Sequence, residues 1–306
     1  MPSTRDIRRR IKSIHNTKKI TKAMEMVASS KMRRAVNGVL ATRPYSTLAW
    51  EMILDVAKKT KVKLHPLLLP REKIKRVAVI LVTSNRGLCG SFNQQAIKLA
   101  VDYIKKLKSS GGVAVDCLSL GSKGARTLLK LGYTVVADFP KADILNEVAD
   151  IRFLSKMVTS DYLAEKYDRI VIVYTDFISV LRQIPRVKQL LPLESVADEM
   201  LGQVANHENM KTLKHKNQET GTEYLFEPNA KTILNELLPR LIEVQIYQAM
   251  LESNAAEHSA RMAAMRNASD AASDMIDDLT LSYNQTRQAA ITTEIAEIAS
   301  GKAALE

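Results

Sequence analysis

Two stretches of this chain, residues 3–37 and 240–300, contain neither glycine nor proline, and each repeats small or aliphatic side chains at three- and four-residue steps. In the first the seam is Ile7, Ile11, Ile14, Thr21, Ala28, Met32, Ala35 and Val39. In the second it is Leu241, Val244, Gln248, Leu251, Ala255, Met262, Ser269, Ile276, Tyr283 and Ala290. Such steps draw one stripe along one side of a helix. Ser3 followed by Asp6 gives the first helix an N-cap and an acidic first-turn partner. Pro44 is expected to kink it, after which the pattern resumes through Trp50, Ile53, Leu54 and Ala57 up to the polar run 58–63. The second helix is expected to run between Pro239 and Gly301, a rod of roughly 90 Å. A globular core cannot bury such a rod, so the two terminal helices are best satisfied by pairing antiparallel as a coiled coil.

Charge agrees with that pairing. Residues 1–60 hold 14 Lys/Arg and 4 Asp/Glu, whereas residues 240–306 hold 5 basic and 10 acidic ones, so most of the net +12 sits at one end and faces an acidic other end. A basic arm for nucleic acid is the competing reading. Against it, residues 1–44 offer no aromatic side chain for base stacking, and Tyr45 is the first. Within the C-terminal seam, Ala255, Ala256, Ala260, Ala263, Ala264, Ala268, Ala271 and Ala272 make a thin shaft, as in any alanine-rich surface helix. Met24, Met26, Met32, Met262 and Met265 instead favour a shaft that meets changing surroundings, because methionine adapts its shape.

Between the terminal helices the period changes. Residues 77–83, 113–120, 134–137, 170–174 and 187–191 read as strands, with helices at 94–107, 123–131 and 145–166, an open α/β sheet of Rossmann-like winding. The implied division is 1–63 for the first helix, 64–228 for the α/β domain and 229–306 for the last helix, with a polar loop at 207–222. The first strand exit, TSNRGLCG at 83–90, looks like a phosphate loop. It has no Gly-Lys-Ser/Thr and its glycine spacing is not that of a dinucleotide fold, so turns needing positive φ explain it, as they do Gly121 and Gly124. An enzyme built on this domain would need an activated nucleophile or an acid/base pair, and none is visible.

Other classes fall away on residue counts. The 2 cysteines, Cys89 and Cys117, build no disulfide framework, and the 5 histidines are scattered without ligand spacing. The longest aliphatic run, 77–82, is far short of a bilayer span. No cofactor or metal is expected.

Three separated motifs carry a family resemblance over nearly the whole chain. Residues 7–35 read IRRRIKSIHNTKKITKAMEMVASSKMRRA, residues 83–93 read TSNRGLCGSFN, and the chain from Ile291 reads ITTEIAEIASGKAALE, with Thr292, Glu294, Glu297 and Gly301 at the family's places. These closely resemble the gamma subunit of F-type ATP synthase, the central rotor stalk. Lys302 departs, since alanine usually follows that glycine. The start at the first motif and the lack of a second cysteine near 195–222 resemble a bacterial form.

The resemblance implies a non-catalytic rotor, one copy per complex. It would stand in a hexamer of alpha and beta subunits, its α/β foot resting on the membrane proteolipid ring beside the epsilon subunit, on the cytoplasmic face of the inner membrane. It further implies that Arg8, Arg9, Arg10, Lys18, Lys19, Lys22, Lys31, Arg33 and Arg34 face acidic loops at the hexamer's rim. Arg287, Gln288 and Thr292 would form a polar catch against catalytic-subunit loops, with Met24 in the same coupling region. Equal rise along both helices makes facing positions sum to roughly 294, to within about two turns given the Pro44 kink and the helix ends. Met24 is then expected opposite Asp270 and Ile7 opposite Arg287. From about Thr293 onward the last helix would overhang by ~20 Å, leaving Ile295, Ile298 and Leu305 to a collar of surrounding subunits.

Overall fold

The computed structural model describes residues 3–59, 65–109, 111–145, 147–193 and 230–303. The expected divisions at 63/64 and 228/229, the 207–222 loop and Leu305 lie outside them. The order is helix α1 (Thr4–Lys59), β1 (Arg76–Val82), α2 (Phe92–Ser109), β2 (Ala114–Leu120), α3 (Ser122–Lys130), β3 (Val135–Phe139), a 3-10 turn (Val148–Ile151), α4 (Arg152–Leu163), β4 (Arg169–Phe177), β5 (Gln183–Leu191) and α5 (Ala230–Ala303). Two compact units divide the chain. The first comprises the ends, Met1–Ser29 and Arg261–Glu306, and the second Ser30–Ala260.

The second unit holds a five-stranded sheet in the order β3-β2-β1-β4-β5, parallel except for β5, which turns back against β4 through a hairpin at Ile178–Arg182. That hairpin is a departure from Rossmann-like winding, and a short connection permits it because antiparallel strands need no crossover helix. β1 is buried on both faces, as its uninterrupted run of Val, Ala, Ile and Leu requires of a central parallel strand. Alternate residues of the sheet serve two cores. Val77, Val79, Leu81, Val171 and Val173 pack with Ala96, Ala100 and Ile104 of α2 and Leu128 of α3. Ala78, Ile80, Val82, Ile170 and Ile172 pack with Leu154 and Val158 of α4 and with Leu238, Ile242, Ile246 and Met250 of α5.

The expected helix at 145–166 is instead a 3-10 turn followed by α4, whose first residue is Arg152. α5 begins well before Pro239 and carries it in its interior, where the ring deprives the Asn235 carbonyl of its helical donor. α1 likewise continues as helix through Pro44.

The helix pairing is antiparallel. In the second unit the Thr42 hydroxyl donates to Gln248 Oε1 at 2.8 Å, and Gly38 lies against Leu251 closely enough that a Cβ there would meet Leu251 Cδ2 at 3.2 Å. In the first unit the hydroxyls of Thr21 and Ser269 meet at 2.7 Å. The expected register puts Thr21 at Ser273; the observed contact is four residues away, one helical turn, inside the expected margin of about two turns, and the positions facing Met24 and Ile7 shift with it. The offset follows from the early start of α5 at Ala230. Within this unit Ile7, Thr21 and Ala28 of α1 and Met265, Ser269 and Ala272 of α5 are buried at heptad steps.

Candidate functional site

The eight residues 252–259 of α5, ESNAAEHS, are all buried, although five of them bear polar or charged side chains besides His258. Burying so many polar groups is costly without partners, and those of Asn254, Glu257, His258 and Ser259 come from two segments, 141–143 and the β4–β5 hairpin. Lys141, between β3 and the 3-10 turn, reaches Glu257 with its ammonium 2.6 Å from Oε2; the two side chains are 1% and 4% exposed. The amide of Asn254 donates to the Ala142 carbonyl at 3.1 Å, and His258 Nε2 lies 3.1 Å from the Asp143 carbonyl oxygen. The Ser259 hydroxyl donates to the Val180 carbonyl at 2.8 Å in the β4–β5 hairpin. Ala255 and Ala256 keep the helix close, packing with Ala35, Cys89, Phe92 and Phe177.

The loop after β1 holds the other end of this arrangement. Asn85 grips residue 141 at two points, its Nδ2 donating to the Lys141 carbonyl at 2.6 Å and its Oδ1 accepting the Lys141 N–H at 3.2 Å. Asn93, in the first turn of α2, stiffens the loop: its Oδ1 accepts the Ser84 N–H at 2.9 Å, and its Nδ2 donates to the Ser84 hydroxyl and the Cys89 sulfur. α1 joins through Lys31, whose ammonium donates to Asp143 at 2.8 Å. That hydrogen bond holds the Asp143 carboxyl below its usual range, against a smaller opposing effect of burial. The TSNRGLCGSFN segment is therefore a buckle that fixes the 141–143 segment, and the 141–143 segment grips both long helices.

Phosphate cradling is not what the strand exits do. Thr83 fills the space, its hydroxyl donating to the Gly121 carbonyl at 2.9 Å and accepting the Gly124 N–H at 2.9 Å. At Gly121, with φ +104, a Cβ would stand 2.3 Å from the Thr83 carbonyl oxygen, so only glycine fits. Among the described residues no group of His, Cys, Asp and Glu could hold a metal ion, and no helix is long and apolar enough to cross a membrane.

Apart from Lys31, the residues singled out from the sequence lie elsewhere on α1 and α5. Arg8, Arg9, Arg10, Lys19, Lys22, Arg33 and Arg34 are exposed, while Lys18, Met24 and Lys31 are half-buried. Arg9 pairs with Asp6 and Lys22 with Glu25, each three residues apart along α1. Arg287, Gln288, Thr292, Glu294 and Ile298 are exposed on the last turns of α5, where the Thr292 hydroxyl donates back to the Gln288 carbonyl. The first unit thus contains the basic residues 8–22 and Met24 together with 287–298, and the second contains Lys31, Arg33 and Arg34. Sequence reasoning missed Asn85, Lys141, Asp143 and Glu257. The signal was present in α5, because Glu252, Ser253, Asn254, Glu257, His258 and Ser259 interrupt an alanine-rich seam on all sides and a helix with no dry face must be held by polar partners.

The family model described as ATP synthase matches residues 3–305. The ATP synthase gamma chain of Chloroflexus aurantiacus is 42% identical over 100% of this chain and 99% of its own length. That of Pelotomaculum thermopropionicum is also 42% identical, over 100% of both chains. Among solved structures, a chain of the Euglena gracilis mitochondrial ATP synthase OSCP/F1/c-ring assembly superposes with a TM-score of 0.63 at 18% identity, covering 99% of this chain and 94% of that one. A chain of the Tetrahymena thermophila ATP synthase central stalk and c-ring gives 0.57 at 24% identity, covering 82% and 99%.

Proposed function

We propose that this chain, which belongs to the ATP synthase gamma-chain family, is the central-stalk rotor subunit of a bacterial ATP synthase and turns as a shaft without making or breaking bonds itself. The observation that carries this reading is the buckled joint at 141–143. Torque entering an α/β domain reaches a helix only if the helix cannot swivel within the domain, and α5 is held there by a buried ion pair, carbonyl contacts from two loops and a hydrocarbon seam.

The working partners are an alpha/beta hexamer around the helix pair, with the proteolipid ring and the epsilon subunit at the α/β foot. The chain lies peripherally on the cytoplasmic face of the inner membrane. Its working divisions are the helix at 1–63, the foot at 64–228 and the helix at 229–306. Exposed Ile20, Met26, Val27, Met275, Leu281, Ile291, Ile295 and Ile298 are more apolar surface than slender helices leave to water without a purpose, which supports cover by other subunits. Each catalytic subunit would meet Met24, Arg287, Gln288, Thr292 and Glu294 at one rotational position and other residues at the next. Differential contact of that kind is what shifts populations among open and closed states. The basic face at Arg8, Arg9, Lys18, Lys19, Lys22, Arg33 and Arg34 would slide past acidic loops, since solvent-screened pairs contribute only ~0 to 1 kcal/mol each. Ile298 would run in a collar formed by the hexamer.

Reconstitution tests the reading. The isolated chain should show no ATPase activity, and adding it to alpha and beta subunits should raise theirs. ATP hydrolysis by the isolated chain, or no effect on the mixture, overturns it.

A further inference from the structure

One buried group plays no part in the joint just described. Glu252 is 0% exposed on α5 and Asp176 is 1% exposed near the end of β4. Asp176 lies on the α5 side of the sheet, two and four residues along from Tyr174 and Ile172, which belong to the core shared with α5. The Thr42 hydroxyl of α1 donates to Gln248 Oε1, which orients that amide so that its Nε2 donates to Glu252 Oε1 at 2.9 Å. Glu252 Oε2 accepts no hydrogen bond among the described residues, yet the Glu252 and Asp176 carboxyl groups are within hydrogen-bonding reach of each other. Two carboxylates cannot donate to one another. A buried contact between them needs a proton.

We propose that Glu252 and Asp176 form a buried proton-binding site in which one proton, carried on Glu252 and donated to the Asp176 carboxylate, fastens the middle of α5 to β4. The surroundings decide which carboxyl carries it. On β5, Arg186 lies with its Nε 2.9 Å from Asp176 Oδ2, so a cation sits directly against the Asp176 carboxyl, while Lys188, 8% exposed on the same face, is the other cation nearby. Glu252 meets a neutral donor, the Gln248 amide. Burial first, and the Asp176 charge second, push the Glu252 carboxyl from 4.5 up to about 8, against smaller opposing effects of Gln248 and Lys188. The folded chain therefore holds a proton that the unfolded chain releases, so stability falls as pH rises from 4.5 to about 8. Above that range the pair repels and α5 is released from β4.

Infrared spectroscopy of the full chain reads this directly. At neutral pH a protonated-carboxyl C=O band is expected, vanishing as pH passes about 8 and missing from Glu252→Gln. Hydrogen exchange of the amides at 245–256, corrected for intrinsic rate, should accelerate above the same pH in the wild type and not in Glu252→Gln. Asp176→Asn, which removes the repelling charge, should move loss of the Glu252 band to lower pH by about one unit, tenfold in proton affinity. This second variant decides the matter even if Glu252→Gln fails to fold. No band at neutral pH, a band surviving in Glu252→Gln, or an unmoved midpoint in Asp176→Asn each overturns the proposal. These readouts need no partner subunit, so they stand or fall apart from the rotor reading.

Discussion

The two compact units hold the same pair of helices by different physics. In the first, α1 and α5 bury a single stripe, whose described polar contact across the pair is Thr21 with Ser269, while Arg8, Arg9, Arg10, Lys19, Lys22, Arg287, Gln288, Thr292, Glu294 and Ile298 stay exposed. In the second, α5 is buried almost all round from Leu241 to Ser259, and Asn254, Glu257, His258 and Ser259 are bound to the 141–143 segment and the β4–β5 hairpin. A helix that must be gripped needs directional partners and pays desolvation for them, whereas a helix that must present its surface needs only a thin apolar seam. The difference separates a gripped stretch from an exposed one along one continuous helix.

The largest expected effect lies in the gripped stretch. Lys141→Met leaves the Glu257 carboxylate buried without its cation, which should lower the unfolding free energy by about 3–5 kcal/mol. The double variant Lys141→Met with Glu257→Leu should regain most of that, because a matched apolar pair avoids the desolvation of both ions. Urea denaturation measures both. A single variant as stable as the wild type would mean the ion pair is no part of the grip.

A smaller effect is expected in the thin seam. Thr21→Val and Ser269→Ala should each cost roughly 1 kcal/mol, with a double-mutant coupling of similar size. The register can be checked with cysteines. The pair Thr21→Cys with Ser269→Cys should cross-link readily in the isolated chain, and Thr21→Cys with Ser273→Cys poorly. The reverse yields would restore the register expected from sequence and move every facing pair in this unit by a turn.

That register shows where sequence reading stopped. Stripes at heptad steps gave the helices and their antiparallel pairing, because a glycine- and proline-free seam has few other ways to be buried. Register followed only to within about a turn. It depends on where α5 begins, and Pro239 reads as a start although the helix carries it inside. The strands were legible from β-branched runs such as 77–82, but the reversal of β5 was not, since 187–191 shows no sign of strand direction. The joint was legible only in part. TSNRGLCGSFN stood out as a motif, yet its partner Lys141 lies in a segment with no pattern, and pairing a lysine with Glu257 across 116 positions of sequence needs coordinates.

The smallest stability effect, and the sharpest test of the contrast, concerns the exposed basic surface. Replacing Lys18, Lys19, Lys22, Arg33 and Arg34 by Gln alters side chains that are largely exposed, so the unfolding free energy should change by only about 0.5 kcal/mol per site or less. If that face slides along acidic loops, the loss should appear instead in coupling: protons pumped per ATP hydrolysed in vesicles should fall. The wild type's own coupling should weaken with added salt, since exposed pairs are screened over a Debye length of ~8 Å at physiological ionic strength. Lys31 sharpens the test because it belongs to the other class, bonded to Asp143 within the joint. Lys31→Gln should cost measurable stability. Because the bonded Asp143 titrates below its usual range, that cost should be present near neutral pH and disappear as pH falls through the Asp143 titration. A five-site variant that loses stability while keeping its pumping ratio would place those residues with Lys31, in the fixed part of the molecule.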